Sequence, residues 1–265
     1  MPFLSAPGRE CYNGAIMALG EEPSTLSVLA PGAGAPTRPR REHVFPWLYR
    51  LIRDGCTPVL RSHFGYRISG LERLPASGPF ILAANHHNYL DGILLGTAVP
   101  RPISFLVMPR VYRASPLHPF FHRRVGSIPV NLGRPDPGAI KRVLRALSAG
   151  RIVGIFPEGP FSREGRLVGG HPGVALIALR SGVPVVPAAI HGTYEALRGR
   201  RFYVPRTHPL SVRFGAAMHF GWPRHRRVTR AERDEVTRRI MGEIAALLAA
   251  EREPLTAAPG RAGAS

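Results

Sequence analysis

Seven short apolar runs, set between stretches with helical periodicity, fill the chain from residue 66 to residue 216 and limit how it can fold. They are YRISGLE (66–72), PFILAAN (79–85), ISFLVM (103–108), GSIPVN (126–131), IVGIFPE (152–158), VPVVPAAI (183–190) and LSVRFGA (210–216). Each has the length and residue types of a strand. Between them lie helices. Asp136 stands as N-cap before Pro137; Ile140, Val143, Leu144 and Leu147 share one face; Gly150 follows, so a helix leads directly into IVGIFPE. A second helix is expected over about 170–181, stopped by Ser181 and Gly182. A third starts at the capping box Thr229 to Glu232 and aligns Val236, Ile240, Ile244, Leu247 and Leu248. Such alternation implies an α/β fold: a single domain with a mixed, largely parallel sheet of about seven strands flanked by helices.

With 265 residues, 44% of them hydrophobic, the chain can build one large core. Lys and Arg number 36 against 17 acidic residues, a formal charge of +19, which suggests an anionic partner: a lipid surface, a nucleic acid or a phosphorylated substrate. Lys141 is the single lysine in a chain rich in Arg, Ala, Gly and Pro, so compositional bias discounts the charge as evidence of function. Cys11 and Cys56 form neither a metal spacing nor a disulfide framework and suit a reducing compartment. No signal-peptide pattern opens the chain, and no uncharged apolar run approaches the roughly 18 to 20 residues of a membrane span. Residues 1–40 and 253–265 read as a disordered leader and tail. Residues 41–64 read as an amphipathic helical segment, with Phe45, Leu48 and Ile52 at helical spacing, Trp47, Arg50 and Arg53 beside them, and a break near Gly55 or Pro58. This segment either packs on the domain or lies on lipid.

The densest polar cluster is NHHNYLD (85–91), which follows the run PFILAA. Beyond the carboxyl end of a strand in an α/β sheet it stands where ligand crevices form. His86 and Asp91 are five apart and meet only across a turn; His87 and Asp91, four apart, would share a helix face. Three readings are open: a base with its orienting carboxylate, a metal site using His86, His87, Asp91, Glu158 or His191, and a structural turn. A second cluster, FPEG at the end of IVGIFPE, brings Glu158 and a turn-forming Gly159 to the same sheet edge. Arg134, after GSIPVN, is suited to phosphate, and His191 reads as a pocket wall or a packed residue. No G-x-S-x-G elbow, Cys–His pair, P-loop or G-x-G-x-x-G cradle accompanies them. Helix-turn-helix, zinc and RNP patterns are absent too, so a nucleic-acid partner is not expected.

These four blocks, in this order over about residues 64–220, resemble the phospholipid and glycerolipid acyltransferase family, whose bacterial members include 1-acylglycerol-3-phosphate acyltransferases of the PlsC type. The family's N-H-x-x-x-x-D block is matched by Asn85, His86 and Asp91. Its F-P-E-G-T-R-S block is matched by Phe156, Pro157, Glu158, Gly159 and Ser162, and the fourth block by Pro184 and Pro187 in VPVVPAAIHGT. The resemblance implies an acyltransferase domain over 65–252 that moves a fatty acyl group from acyl-CoA or acyl carrier protein to a lysolipid hydroxyl. His86 would be the general base and Asp91 its partner, with Asn85, Arg134, Phe156, Pro157, Glu158, Gly159, Ser162 and Arg163 around the substrate. It further implies no metal or bound cofactor, and a peripheral place on the cytoplasmic face of the cell membrane. The chain departs from the family at Leu132, where an Arg is usual, and at Pro160 and Phe161, where Thr and Arg are usual. Either Arg134 or Arg163 compensates, or the acceptor is another lysolipid or an alcohol without a phosphate. An esterase acting on acyl esters is the alternative enzyme, and a basic lipid- or nucleic-acid-binding protein without catalysis is the alternative from another class.

Overall fold

All seven apolar runs become strands: β1 (Arg67–Ser69), β2 (Ile81–Ala84), β3 (Ile103–Val107), β4 (Ile128–Pro129), β5 (Ile152–Ile155), β6 (Val185–His191) and β7 (Ser211–Phe214). They form one sheet in the order β1-β7-β6-β2-β5-β3-β4. Every neighbouring pair is parallel except β6 and β7. The computed structural model describes residues 45–113, 118–131, 136–159, 161–162, 164–198, 204–221 and 226–252. The leader and tail, and the positions Leu132, Arg134, Pro160 and Arg163, lie outside the described residues.

The described helices are α1 (Pro46–Phe64), α2 (Leu90–Ala98), α3 (Pro109–Tyr112), α4 (His118–Arg124), α5 (Pro137–Ser148), α6 (Gly173–Ser181), α7 (Thr193–Leu197) and α8 (Arg230–Arg252). A strand's side chains alternate between faces, and β2 uses both. Leu82 and Ala84 join a core with Leu60 and Phe64 of α1, Leu94 and Leu95 of α2, and Ile103. Ile81 and Ala83 join a second core with Val143 and Leu147 of α5, Val174 and Ile177 of α6, and Ile240 and Ile244 of α8. A central strand buried on both faces has no polar positions to spare, which is why PFILAA reads as one continuous apolar run.

Two expectations need correcting. The helix of residues 41–64 does not break at Gly55 or Pro58: α1 runs unbroken past both and ends at Gly65, whose φ of 56° closes it in the left-handed region. Packing outweighs the missing Pro58 N–H, because Tyr49 on one side of the proline and Leu60 and Phe64 on the other are all buried. Gly55 and Pro58 themselves face solvent. Likewise α6 begins at Gly173, not near 170: Pro172 disfavours helical backbone at His171, whose N–H bonds the Pro157 carbonyl at 2.7 Å. Among the described residues no helix is long and apolar enough to cross a membrane.

Candidate active site

The chain leaves β2 through Asn85, which extends the sheet with its side chain. Its amide Nδ2 donates to the Ile190 carbonyl at 2.9 Å, and its Oδ1 accepts the Ile190 N–H at 2.8 Å. Asn85 is fully buried and holds the turn from beneath. The turn then places His86 over the carboxyl edge and returns at Leu90, where α2 starts. Asn88 closes it by accepting the Leu90 N–H at 2.9 Å and donating to the Thr193 carbonyl at 2.7 Å.

Asp91, in the first turn of α2, is wholly shielded from solvent. Its Oδ2 accepts the backbone N–H groups of His87 at 2.6 Å and Asn88 at 2.8 Å, and lies 2.9 Å from His86 Nδ1. The helix N-terminus favours the carboxylate at this position. A histidine whose Nδ1 is held by a carboxylate keeps its proton there, which leaves Nε2 as the acceptor. The structure thus pairs His86 with Asp91. The His87 ring turns away, 3.3 Å from Thr193 Oγ1 and edge-on to Tyr194.

The second cluster wraps the first. Phe156 lies flat on the His86 ring, with centroids 3.7 Å apart and planes within 5°, and Phe105 stacks behind it. Phe161 meets the same imidazole edge-on at 4.5 Å. Glu158, only 3% exposed, bridges two segments: Oε1 accepts the His86 N–H at 2.8 Å and Oε2 the Val168 N–H at 2.9 Å. Burial pushes its carboxyl above the usual carboxylate range, against the pull of those two N–H groups and of the neighbouring histidines. Ser162 donates its N–H to the His86 carbonyl and its hydroxyl to the Arg166 carbonyl. Gly159, at φ 79°, makes the turn that returns the chain.

Asn85, His86, Asp91, Phe156, Pro157, Glu158, Gly159 and Ser162 therefore come together, while Arg134 and Arg163 lie outside the described residues. Phe105, Phe161 and His171 were not among the expected site residues. Phe105 and His171 carry no local motif, and Phe161 stands at a position where a cation was expected. Among the described residues no three His, Cys, Asp or Glu side chains gather as metal ligands.

His86 and Phe161 open onto a cavity of about 470 Å³. It reaches both faces of the sheet. Ile52, Ile93, Ile103 and Phe105 line it on the α1–α2 side, and Val143, Ile155, Val174 and Ile177 on the α5–α6 side. A hydrocarbon chain suits such walls, and a polar reacting group suits the His86 end.

The sequence model of the Acyltransferase family matches residues 65–191. The chain is 30% identical over 146 residues to a 1-acyl-sn-glycerol-3-phosphate acyltransferase of Bacillus subtilis, covering 55% of this chain and 72% of that protein. It is 33% identical over 159 residues to a lyso-ornithine lipid O-acyltransferase of Pseudomonas aeruginosa, covering 59% of this chain and 57% of that one. Its fold is similar to the crystal structure of the 1-acyl-sn-glycerophosphate acyltransferase PlsC from Thermotoga maritima, with a TM-score of 0.63 over 78% of this chain and 81% of the other, at 18% identity.

Proposed function

The chain belongs to the PlsC-type acyltransferase family, a family of O-acyltransferases, and from that premise we propose that it moves a fatty acyl group from a thioester donor, acyl-CoA or acyl carrier protein, to a hydroxyl of a lysolipid. The observation that carries the mechanism is the 2.9 Å contact between His86 Nδ1 and Asp91 Oδ2 at the mouth of an apolar cavity. The acceptor hydroxyl gives its proton to His86 Nε2 as its oxygen attacks the thioester carbonyl. Asp91 stabilises the imidazolium. The tetrahedral intermediate collapses, the C–S bond breaks, and the imidazolium returns the proton to the departing thiolate. No covalent acyl-enzyme is needed. Phe156 and Phe161 hold the imidazole ring between them, so its orientation is set before substrate arrives.

The acyl chain of the donor occupies the cavity, and the protein meets the bilayer through the outward face of α1. Trp47 and Leu51, a turn apart, are 61% and 63% exposed, with Arg50 beside them, a pattern suited to the lipid interface.

The test is acyl transfer from a labelled acyl-CoA to a panel of lysolipids. Wild type should acylate at least one, and His86→Ala should lose about 10²- to 10⁴-fold in kcat, the range of a general base, while still melting in one cooperative transition. Full activity in His86→Ala would sink the mechanism. Release of free fatty acid without any acceptor would favour an esterase instead.

A further inference from the structure

Arg233 is a charged residue on an apolar stripe. Val236, Thr237, Ile240, Ile244 and Leu247 of α8 are all buried, and Arg233 stands one turn before them on the same side of the helix. Its surface neighbours find carboxylates: Arg230 pairs with Asp234, and Arg238 with Glu235. Arg233 does not. Its Nε is shut off from solvent with no hydrogen-bond partner, and no ion pair joins its guanidinium among the described residues. Arg233 also lines the cavity that His86 opens onto. His171 lines it too, and its N–H is bonded to the carbonyl of Pro157, the residue after the Phe156 that stacks on His86.

A buried guanidinium nitrogen without an acceptor is costly, and low-dielectric walls strengthen whatever anion meets it. A hydrocarbon tail needs no cation. The donor's own phosphates stand a full pantetheine arm away from its thioester, whereas the acceptor brings its polar head group close to the hydroxyl that must reach His86. We propose that Arg233 is a specificity-determining residue for the acceptor, whose guanidinium receives an anionic oxygen group, phosphate or carboxylate, on the lysolipid head. The planar fork of donors fits either anion. This assignment rests on the acyl-transfer reading above.

The test is steady-state kinetics of the full chain with one long-chain acyl-CoA and three acceptors: lysophosphatidic acid for phosphate, lyso-ornithine lipid for carboxylate, and a neutral monoacylglycerol. Arg233→Met should raise KM for the anionic acceptor by about 10- to 100-fold, the loss of a charge-assisted hydrogen bond. KM for monoacylglycerol and for acyl-CoA should stay put, and Arg233→Lys should restore part of the loss. A melting temperature equal to or above wild type shows that the Met variant folds, as expected when a partly buried side chain whose Nε has no acceptor is replaced by an apolar one. The acceptor whose KM responds tells phosphate from carboxylate. No change, an equal loss on the neutral lipid, or a change confined to acyl-CoA overturns the assignment alone. Failure of wild type to acylate any of the three, from acyl-CoA or from acyl carrier protein, sinks the acyl-transfer reading and this assignment with it.

Discussion

Two buried carboxylates do different work at this site. Asp91 spends one oxygen on the His87 and Asn88 N–H groups and on His86 Nδ1, which fixes both the turn and the tautomer of the imidazole. Glu158 never touches the imidazole of His86: its two oxygens clasp the His86 backbone to the Val168 segment. Because burial raises the Glu158 pKa, the folded state binds its proton more readily than the unfolded chain does. The stability contributed by this group is thus fully present below the ordinary value of 4.5 and lost as pH rises through the raised one. Glu158→Gln, which cannot ionise but has one acceptor oxygen for two N–H groups, should be less stable than wild type in urea unfolding at acid pH, and the gap should narrow toward neutrality as wild type loses its own contribution. Its activity should fall as well. One backbone N–H loses its acceptor, and kcat at pH 7 should fall about 10-fold for a net hydrogen bond of that kind. A variant that keeps full kcat would show that the clasp does not position His86. At this scale the spacing pointed to His86, Asp91 and Glu158 but left two histidines and three roles open, because spacing along the chain does not say which way a turn closes; the family resemblance selected His86 and Asp91.

At the scale of elements, the strands end before their apolar runs do, and the residues left over build the site. IVGIFPE forms β5 only as far as Ile155; Phe156 to Glu158 leave the sheet to stack on, follow and support His86. Within β5, Gly154 lets the Phe105 ring lie close against the strand: a Cβ there would sit 2.5 Å from that ring and 2.8 Å from Ile103. Gly154→Ala should therefore displace Phe105, and Phe156 behind which it stacks, at a cost of about 1–3 kcal/mol for overpacking. Thermal melting reads the stability loss and kcat reads the displaced ring. A neutral substitution would mean the stack has slack. Helix α1 shows why a local breaker is a poor guide once tertiary contacts exist. Pro58 argues for a stop, yet buried side chains on both sides of it hold one continuous helix.

For the molecule as a whole, the parallel order of the sheet brings the ends of β2 and β5 side by side, so blocks 72 residues apart share the imidazole of His86 and the carboxylate of Glu158. The proposed contact with the bilayer, through the net charge of +19 and the exposed apolar turn of α1, is tested at this scale. Sedimentation with anionic vesicles should show binding that weakens with salt, and the double variant Trp47→Ala, Leu51→Ser should lower it by about 10-fold or more, given roughly 1.5–3 kcal/mol per buried apolar side chain. Undiminished binding would place the membrane face elsewhere. The sequence by itself determined the seven strands, the three capped helices and the α/β class, because periodicity, caps and turns are local and are written in neighbouring residues. It also carried the blocks by which the chain resembles its family. Only the tertiary structure decided how the turn closes to bring the His86 ring, which the resemblance had already singled out, against Asp91, that Glu158 is spent on backbone N–H groups, and that an arginine 147 residues beyond His86 lines the same cavity. Those outcomes depend on how strands distant in sequence lie beside one another, and hydrophobic patterning constrains that order without stating it.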